Sequence, residues 1–540
     1  MKEERPEMEE EIIQQLRSKA TELLLREEWM ESIKLYSQLV SLCQQQLSEN
    51  HDKFDSDGVS KLRKTLRLAL SNLAEARSRL GYFSEALEDC DRAIDIESTH
   101  FKTHLCKGKI LLNLNRYTGA SDCFKTALLH LQGNEHSEIL NGYLERCKRL
   151  EFQSRTGTID LSDWVLSGFR GKSPELAEFI GAVQIKRSEK SGRGLFATKD
   201  IEAGTLLLFT KAVATVRGIL PEPDEDSDSA ESARLVMWKE FIEKVFAAAA
   251  RCKRTRGLIS TLLGGEDEES LSVPDISLFR PETGELFFPE EKVDDMGRLI
   301  NALDVNCLTE DATSAKVLGK NCDYYGVGLW ILASFINHSC DPNARRLHIG
   351  DHLVAHASKD IKAGDEITFA YFDVLLPLNK RNEMSKTWGF YCKCKRCRFE
   401  EEINSRGEIK EIELALERGS GSDMGNVVVR LEEIMRRWMI KGKEKGYLRA
   451  SYWAAFSGAY GSENSMRRWG RRIPAAEAVA ECVTEAVGGD ERVLRVAIEG
   501  VRKRGGGVFE MERALKLGRC VYGKVVKKQA LRALLELQRS

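Results

Sequence analysis

A repeat with a period of 34 residues restricts the fold of this chain more than any other feature. Four positions carry it, since Ala74, Leu80, Ala86 and Ala93 recur 34 residues later as Gly108, Leu114, Ala120 and Ala127. A period of this length fits two helices per unit, with small residues where paired helices approach closely. Leu73, Leu111 and Phe124 are large enough to fill the space between neighbouring units. The sequence therefore predicts stacked helix pairs, and an ordinary helical bundle is the alternative.

An earlier and weaker copy precedes the first clear repeat. It runs from Leu16 through Ala20, Trp29 and Tyr36 to Leu39, and the polar segment HDKFDSDG separates it from the next copy. The pattern resembles the tetratricopeptide repeat, in which three units suffice for a stable stack because each unit buries its apolar face against its neighbours. We therefore expect an all-α tetratricopeptide-repeat domain over residues 1–150 that binds a protein partner.

Charge and cysteine content exclude several classes of protein. Lys and Arg number 82 against 84 for Asp and Glu, so the net charge of -2 provides no general attraction for nucleic acid. The 14 cysteines follow no disulfide framework, MKEERPEMEE lacks the apolar core of a secretory signal, and no apolar run has the length of a membrane helix. We expect a cytoplasmic or nuclear protein, without direct nucleic-acid binding and without a membrane.

Short β-rich runs begin at about Ala182 and indicate a second domain of mixed structure. TLLLF and HLVAHA are such runs, bounded by glycines. One phrase occurs twice, as ATKDIEAG at 197–204 and as ASKDIKAG at 357–364. Each copy ends an apolar run with a charged turn and a glycine that can adopt a positive φ. Both copies are predicted to form a strand, a turn and a second strand.

Charged segments lie in an insertion between the two copies of this phrase. The acidic stretches PEPDEDSDS and GGEDEE are typical of solvated loops, and attraction of a basic peptide is a second interpretation. A basic run of Arg251, Lys253, Arg254 and Arg256 is typical of a solvated helix face, with a nuclear import signal as the alternative. After GSGSD at 419–423, the periodic apolar positions of VVVRLEEIMRRWM and KKQALRALLELQ predict helices to Ser540.

Three cysteines have the spacing C-x-C-x-x-C: Cys392, Cys394 and Cys397. A closed zinc site requires a fourth ligand, which must come from another segment. Cys340 in SFINHSCDPNA is the best candidate, because an apolar run stops there at a polar cluster and Pro342 ends the preceding element. Cys307 and Cys322 are competing candidates. Spacing alone does not decide between them and Cys340, because most unpaired cysteines are small buried hydrophobic residues.

Four motifs resemble those of the SET-domain lysine methyltransferases, in the same order along the chain. They are SGRGLFA at 191–197, NHSCDPN at 337–343, GDEITFAYFD at 364–373 and the final C-x-C-x-x-C. The SET-and-MYND branch is most similar, because an insertion splits the core, GVGLW precedes the N-H-S-C segment and a helical region follows. The MYND finger is missing, since it needs about eight metal ligands and the insertion offers only Cys252, Cys307 and Cys322.

The resemblance implies a multidomain architecture beyond the repeats. A mainly β SET domain is expected over residues 165–400, with a helical insertion at about 215–320 and a post-SET zinc segment at 388–400. An α-helical C-terminal domain is expected over residues 401–540. In the family, the cysteine of the N-H-x-C segment completes a structural zinc site, which assigns Zn2+ to Cys340, Cys392, Cys394 and Cys397. Lys393, Lys395 and Arg396 are then expected to offset the charge of the four thiolates.

The resemblance also implies binding of S-adenosyl-L-methionine. The residues that match the cofactor contacts of the family are Gly192, Arg193, Gly194, Asn306, Ser334, Asn337, His338 and Phe390. Asn306 falls in the variable insertion. Tyr371, at the end of ITFAY, matches the catalytic tyrosine, whose hydroxyl orients the attacking amine without acting as the general base. Trp388 and Trp330 are candidates for the walls of the lysine channel, and core packing is the alternative for both.

The expected function is S-adenosylmethionine-dependent protein-lysine N-methylation of histone or other proteins, with partner binding by the repeats. The alternative is an interaction scaffold or a chaperone-associated adaptor with a non-catalytic SET module. Asn72 and Lys102 coincide with two positions of the clamp by which some tetratricopeptide domains hold a chaperone's C-terminal carboxylate. Thr21 and Cys106 depart from the clamp at positions where an amide and a basic residue are expected.

Overall fold

The computed structural model of the chain describes residues 4–49, 56–131, 136–166, 174–189, 191–220, 228–264, 268–282, 296–310, 324–404, 407–418, 423–503 and 508–537. The chain divides into two units. The first contains residues 1–155, 246–258 and 278–291, and the second contains residues 156–245, 259–277 and 292–540. The acidic stretches predicted as solvated loops lie mainly outside the described residues, as does Cys322.

Helix pairs build the first unit. Its helices are α1 (Glu4–Leu25), α2 (Trp29–Glu49), α3 (Ser56–Arg79), α4 (Phe83–Ile96), α5 (Phe101–Asn113), α6 (Tyr117–Leu129) and α7 (Ser137–Thr156). The small residues of the repeat are buried where paired helices meet, and a Cβ atom on Gly108 would lie 2.6 Å from the ring of Phe124. Phe124 is fully buried. The predicted helical repeats are therefore confirmed.

The weaker first copy of the repeat is joined to the second by a polar contact. Ala20, Tyr36 and Leu39 are fully buried in the α1–α2 pair. The hydroxyl of Tyr36 accepts a hydrogen bond from Nδ2 of Asn72 in α3 at 2.8 Å and lies 2.9 Å from Oγ1 of Thr21. Of the residues compared with the clamp, Asn72 thus joins the first helix pair to the second, and Thr21 contacts Tyr36 within the first pair.

Part of the insertion packs against the repeats, which the sequence did not indicate. The backbone N–H of Thr118, at the start of α6, donates to Oε1 of Glu282 at 3.0 Å. Arg254 donates to the carbonyl oxygens of Leu278 at 2.6 Å and Arg280 at 2.8 Å. One member of the basic run therefore ties two parts of the insertion together.

Antiparallel strand pairs build the core of the second unit, after helix α8 (Ser162–Leu166). The strands are β1 (Phe179–Ile180), β2 (Val183–Arg187), β3 (Arg193–Ala197), β4 (Leu206–Lys211), β5 (Thr215–Ile219), β6 (Leu308–Thr309), β7 (Tyr324–Gly328), β8 (Asn337–His338), β9 (Ala344–Ile349), β10 (His352–Ala357) and β11 (Glu366–Phe369). They form three sheets with the orders β1-β4-β10-β9, β2-β3-β11-β8 and β5-β7-β6. The predicted mainly β SET core is confirmed.

The two copies of the repeated phrase form turns that bind each other. Ile201 and Ile361 form a β-bridge, with reciprocal N–H to O distances of 2.8 and 2.9 Å. The backbone N–H of Ala203 donates to Asp360, and that of Ala363 donates to Asp200. The glycine that ends each phrase has a φ of +83° or +87°, which a residue with a Cβ atom rarely adopts. Strand, turn and strand are confirmed for both copies.

Helices predominate in the described residues of the insertion and in those that follow β11. The insertion contains α9 (Asp228–Arg251), α10 (Lys253–Ile259) and α11 (Met296–Asn306). The later helices are α12 (Leu378–Thr387), α13 (Lys395–Asn404), α14 (Gly407–Glu417), α15 (Met424–Arg437), α16 (Gly442–Ser451), α17 (Trp453–Gly461), α18 (Glu463–Trp469), α19 (Ala476–Val487), α20 (Glu491–Lys503), α21 (Val508–Tyr522) and α22 (Lys528–Leu537). Among the described residues, no helix has both the length and the apolar character needed to cross a membrane.

Candidate functional site

Strand β8 brings three of the sequence motifs together. Its two residues, Asn337 and His338, pair in parallel with Thr368 and Phe369 of β11. Strand β11 pairs on its other side with β3, which follows the glycine turn. An apolar run ending in a short helical turn at Ala333–Phe335 leads directly into β8. The glycine turn, the N-H-S-C segment and the strand before Tyr371 therefore meet at one edge of this sheet.

The four predicted zinc ligands also come together. Within the described ranges, the sulfur atoms of Cys392, Cys394 and Cys397 lie within 4.8 Å of one another, as do the ligand atoms of Cys340, Cys392 and His338. A tetrahedral zinc with four thiolates places its sulfur atoms about 3.8 Å apart. The donor set and its spacing fit zinc. Cys307, the competing candidate, is buried elsewhere and belongs to neither group.

Charge at the cysteine cluster is offset by a residue that the sequence did not identify. Nη1 of Arg381, in α12, donates to Sγ of Cys397 at 3.1 Å. Lys393 and Lys395, expected to play this role, are exposed. Arg396 is fully buried, but it donates to the backbone carbonyl of Cys340 at 3.0 Å rather than to a sulfur atom. Of the three residues expected to offset the thiolate charge, only Arg396 is therefore buried beside the cysteine segments. No motif or spacing in the sequence indicated Arg381.

A buried carboxylate connects the two arginines. Glu400 pairs with Arg381 through Oε2 and with Nε of Arg396 at 2.7 Å through Oε1. The side chain of Glu400 is 4% exposed and those of both arginines are fully buried. Two positive groups and one negative group leave a net charge of about +1 against the thiolates. This arrangement favours the deprotonated sulfur atoms that a metal requires.

His338 connects the cysteine cluster to the strand that carries Tyr371. Its Nδ1 accepts the backbone N–H of Tyr371 at 3.0 Å. A neutral ring that accepts through Nδ1 carries its proton on Nε2. Nε2 lies 3.3 Å from Sγ of Cys340 and therefore donates to that sulfur. His338 is thus fixed by hydrogen bonds at both nitrogen atoms.

Asn337 is oriented by a carboxylate on the neighbouring strand. Its Nδ2 donates to Oε1 of Glu366 at 2.7 Å and to the carbonyl oxygen of Arg193 at 3.1 Å. The same carboxylate accepts from the hydroxyl of Ser188 at 3.0 Å. A Cβ atom on Gly194 would lie 2.5 Å from Oε1 of Glu366, so a larger residue there would displace this carboxylate. Glu366 lies in the motif GDEITFAYFD. The motif did not indicate its contact with Asn337, because this contact depends on the pairing of β3, β8 and β11.

Two other predicted cofactor residues, Gly192 and Arg193, lie where the turn leads into β3. Gly192 has a φ of +67°, which forms the turn before β3. The side chain of Arg193 points into the insertion, where it donates to the carbonyl oxygens of Thr261 at 2.7 Å and Ser272 at 3.2 Å. Its backbone, rather than its guanidinium group, therefore faces Asn337.

Ser334 and Asn306 contact each other. The hydroxyl of Ser334 donates to the carbonyl oxygen of Asn306 at 2.9 Å. Nδ2 of Asn306 donates to the carbonyl oxygens of Leu263 and Ala302, both at 2.8 Å. The two residues therefore join the insertion to the turn that precedes β8. The contacts of both side chains are with backbone oxygens.

Aromatic rings surround Tyr371. The centroid of its ring lies 5.0 Å from that of Trp388, 5.6 Å from that of Phe369 and 6.1 Å from that of Phe390. Its hydroxyl donates to the carbonyl oxygen of Ile336 at 2.9 Å. Burial raises the pKa of Tyr371 to about 12, so the hydroxyl is neutral at physiological pH. Phe390 also lies 5.3 Å from the ring of His338, which places it between the cysteine segment and β8.

The two candidate channel tryptophans differ. Trp388 packs beside Tyr371, with 5.0 Å between the ring centroids. Trp330 is fully buried, and its Nε1 donates to the carbonyl oxygen of Asp351 at 3.0 Å. A Cβ atom on Gly328 would lie 2.6 Å from its ring. Trp330 is thus a core residue, which was the alternative interpretation.

Comparison with known proteins gives one family match and several relatives. Residues 192–372 match the family described as the SET domain. A SET and MYND domain-containing protein of Dictyostelium discoideum is 47% identical over 75 residues, 13% of this chain and 22% of that protein. A methyltransferase of Gibberella zeae is 25% identical over 393 residues, 68% of this chain and 49% of that protein. Human histone-lysine N-methyltransferase SMYD3 is 32% identical over 117 residues, 21% of this chain and 27% of that protein.

These alignments span between 22% and 49% of the relatives' own lengths. A crystal structure of the P58(IPK) TPR domain aligns with 98% of this chain and 97% of that chain, at 11% identity. Its TM-score of 0.24 is too low to indicate a common fold. The family match begins at the glycine turn and includes Asn337, His338, Cys340 and Tyr371. Residues 192–372 of this chain are a SET domain.

Proposed function

We propose that the chain is a protein-lysine N-methyltransferase that uses S-adenosyl-L-methionine. The observation that carries the proposal is the position of Tyr371, whose neutral hydroxyl group is on a ring packed beside Trp388 and Phe390. Tyr371 directly follows β11, and its backbone N–H donates to His338 of the neighbouring strand β8. The relatives named as histone-lysine N-methyltransferase and methyltransferase support the same reaction class. The substrate is a lysine of a histone or of another protein.

The residues at the sheet edge fit S-adenosylmethionine. The amino-acid part of this molecule presents an ammonium group, which needs an acceptor. Because Nδ2 of Asn337 donates to Glu366 and to the carbonyl of Arg193, its Oδ1 is the atom left to accept such a group. Glu366 adds a negative charge close to a molecule with a cationic sulfur. The ring of Phe390 offers an aromatic face for adenine.

We propose that Cys340, Cys392, Cys394 and Cys397 hold one structural zinc ion. A site with four thiolates is closed, which excludes a direct role in the reaction. Phe390 is two residues before Cys392, so a filled site would fix the position of this ring. Thiolate ligands need a reducing compartment, which supports a location in the cytoplasm or the nucleus.

Two features of the chain support transfer of a methyl group to lysine. When bound, S-adenosylmethionine supplies an electrophilic methyl group on sulfur. The Tyr371 hydroxyl uses its hydrogen for the carbonyl of Ile336, so its oxygen lone pairs are available to the methyl C–H groups and to the attacking amine. The aromatic surroundings favour the neutral form of the lysine amine, since burial lowers the pKa of a lysine from its usual value of about 10.4.

The repeats are proposed to bind a protein partner or the substrate protein. Stacked helix pairs form an extended surface without any chemistry of their own. Lys102 at the start of α5 is exposed, whereas Asn72 is engaged with Tyr36. These contacts do not favour the chaperone-adaptor alternative over a different protein partner.

The proposal is tested with S-adenosylmethionine that carries a labelled methyl group. The full-length chain is incubated with a protein array, and we expect the label on lysine side chains. Tyr371→Phe and Asn337→Ala should abolish it. A folded chain that binds the cofactor by calorimetry but labels no protein would contradict methyl transfer and favour the scaffold. A chain without cofactor affinity would contradict the cofactor assignment itself.

A further inference from the structure

Helix α16 contacts the chain on both sides of the cysteine cluster. From the middle of the helix, the hydroxyl of Tyr447 donates to Oδ2 of Asp341 at 2.7 Å. At its end, the hydroxyl of Ser451 donates to Oε1 of Glu400 at 2.8 Å. Asp341 directly follows Cys340, and Glu400 is in the helix that begins within the C-x-C-x-x-C segment. One helix of the C-terminal region is therefore bonded to both halves of the candidate zinc site.

The contact at Asp341 is a shared carboxylate. Besides Tyr447, it accepts Nζ of Lys443 from α16 at 2.8 Å and Nζ of Lys359 at 2.6 Å. The side chain of Asp341 is 9% exposed. Lys359 also donates to the carbonyl oxygen of Ala486 in α19 at 2.7 Å. The residue after Cys340 is thus fixed by two helices of the C-terminal region.

The contact at Glu400 extends to the sulfur atoms. Ser451 donates to Glu400 and accepts from Nη2 of Arg396 at 2.7 Å. Arg396 in turn donates to the carbonyl oxygen of Cys340, and Glu400 orients Arg381 on the sulfur of Cys397. A single hydroxyl at the end of α16 therefore completes a buried network that reaches both cysteine segments. Buried networks of this kind lose much of their order when one member is removed.

This geometry points to a role for the C-terminal helices. The four sulfur atoms must be held close together before a metal binds, and Cys340 is far from the other three in the sequence. We propose that α16, through Tyr447 and Ser451, holds the two cysteine segments together and thereby sets how slowly zinc leaves the site. Tyr447 and Ser451 are positioning residues for the metal, and neither is a ligand. The inference rests on the proposed zinc site.

The test measures zinc release from the full-length protein. Zinc-loaded wild-type chain, Tyr447→Phe, Ser451→Ala and the double variant are mixed with an excess of a chromophoric chelator, and the rate of zinc transfer is followed by absorbance. Loss of a hydrogen bond to a charged partner should accelerate release about tenfold for each hydroxyl. Each variant should still bind one zinc per chain, measured by mass spectrometry, because all four cysteines remain.

Tyr460→Phe is the matched control. The hydroxyl of Tyr460, in α17, donates to the carbonyl oxygen of Pro474 at 2.7 Å, away from the cysteine cluster. This substitution removes one buried tyrosine hydroxyl from the same helical region, and the variant should release zinc at the same rate as wild type. Equal rates in wild type and the double variant would overturn the inference, as would equal acceleration in Tyr460→Phe. A wild-type chain that holds no zinc would instead overturn the zinc assignment.

Discussion

Nε2 of His338 lies 3.3 Å from Sγ of Cys340, and this contact joins the cysteine cluster to the rest of the site. The opposite nitrogen of the ring accepts the backbone N–H of Tyr371. One imidazole therefore spans the distance between a zinc ligand and the proposed catalytic residue. Loss of a cysteine or of the metal should therefore displace Tyr371 through the ring of His338. It should also displace Phe390, which is two residues before Cys392.

The first prediction concerns the metal. Cys340→Ser should abolish stoichiometric zinc binding and weaken binding of S-adenosylhomocysteine at least about tenfold, because a structural zinc site contributes on the order of 10 kcal/mol of apparent binding free energy. Calorimetry and metal analysis measure the two effects. Cys123→Ser, which changes a half-buried cysteine of α6, should change neither. Undiminished cofactor affinity in a zinc-free Cys340→Ser protein would contradict the coupling.

The second prediction separates binding from chemistry. Tyr371→Phe removes the hydroxyl but keeps the ring among its aromatic neighbours, so the dissociation constant for S-adenosylmethionine should stay within about threefold of wild type. The rate constant for methyl transfer should fall about 100-fold or more, as for other groups that act in the transition state. Single-turnover kinetics with saturating cofactor measure the rate constant. A rate within threefold of wild type would remove Tyr371 from the mechanism.

The third prediction tests the role of Glu366. Glu366→Gln removes the charge that holds Nδ2 of Asn337, so binding of S-adenosylhomocysteine should weaken about tenfold. Methylthioadenosine lacks the amino-acid part, and its affinity should not change. Asp365→Asn, which removes the neighbouring charge, serves as the control, since that carboxylate accepts only from its own turn at Lys362 among the described contacts. Equal loss for both ligands would indicate general damage to the pocket.

The sequence predicted those parts of the structure that depend on local pattern or on a recognised motif. The helix pairs followed from small residues such as Ala86 and Gly108, whose size is needed at a fixed spacing. Three thiolates required a fourth ligand, and the resemblance to the SET-domain enzymes, rather than spacing, singled out Cys340 among the candidates. The pairing of the two charged turns was not predicted, although each turn was, because strand partners are chosen by the whole sheet.

Residues that act through distant partners were missed. Arg381 carries no motif, and its contact with Cys397 depends on how α12 packs on α13. Ser451 was missed for the same reason, because a serine at a helix end does not indicate a buried partner. The contacts of the Arg193 side chain with carbonyl oxygens of the insertion were also not indicated by the sequence, while its place at the cofactor turn stays a prediction. Such roles arise from tertiary packing, which neither periodicity nor spacing encodes.

The fourth prediction concerns acid. His356 is fully buried, and burial lowers its pKa to about 4. Its Nε2 lies 3.3 Å from the carbonyl oxygen of Cys520, and Nδ1 has no partner within the described part of the chain. The unfolded chain binds the proton first, near pH 6.5. The contribution of His356 to stability should therefore fall by about 3 kcal/mol between about pH 6.5 and pH 4, and this contribution should be constant above that window.

His356→Gln keeps a donor for Cys520 and removes this titration. Denaturant unfolding between pH 7 and pH 4.5 should therefore show a smaller loss of stability in the variant than in wild type. His130→Gln, which changes an exposed histidine of the first unit, is the control substitution. A wild-type slope preserved in His356→Gln would show that His356 titrates alike in the folded and unfolded chain.

The fifth prediction compares two glycines of the first unit. A Cβ atom on Gly108 would lie 2.6 Å from the ring of Phe124, whereas one on Gly142 in α7 would meet nothing within 4 Å. Gly108→Ala should destabilise the repeats by about 1–3 kcal/mol through overpacking. Gly142→Ala should stabilise them by about 0.5–1 kcal/mol, because alanine loses less conformational freedom in a helix. Thermal unfolding of the two variants gives the signs, and a stabilised Gly108→Ala protein would mean that Phe124 moves aside at no cost.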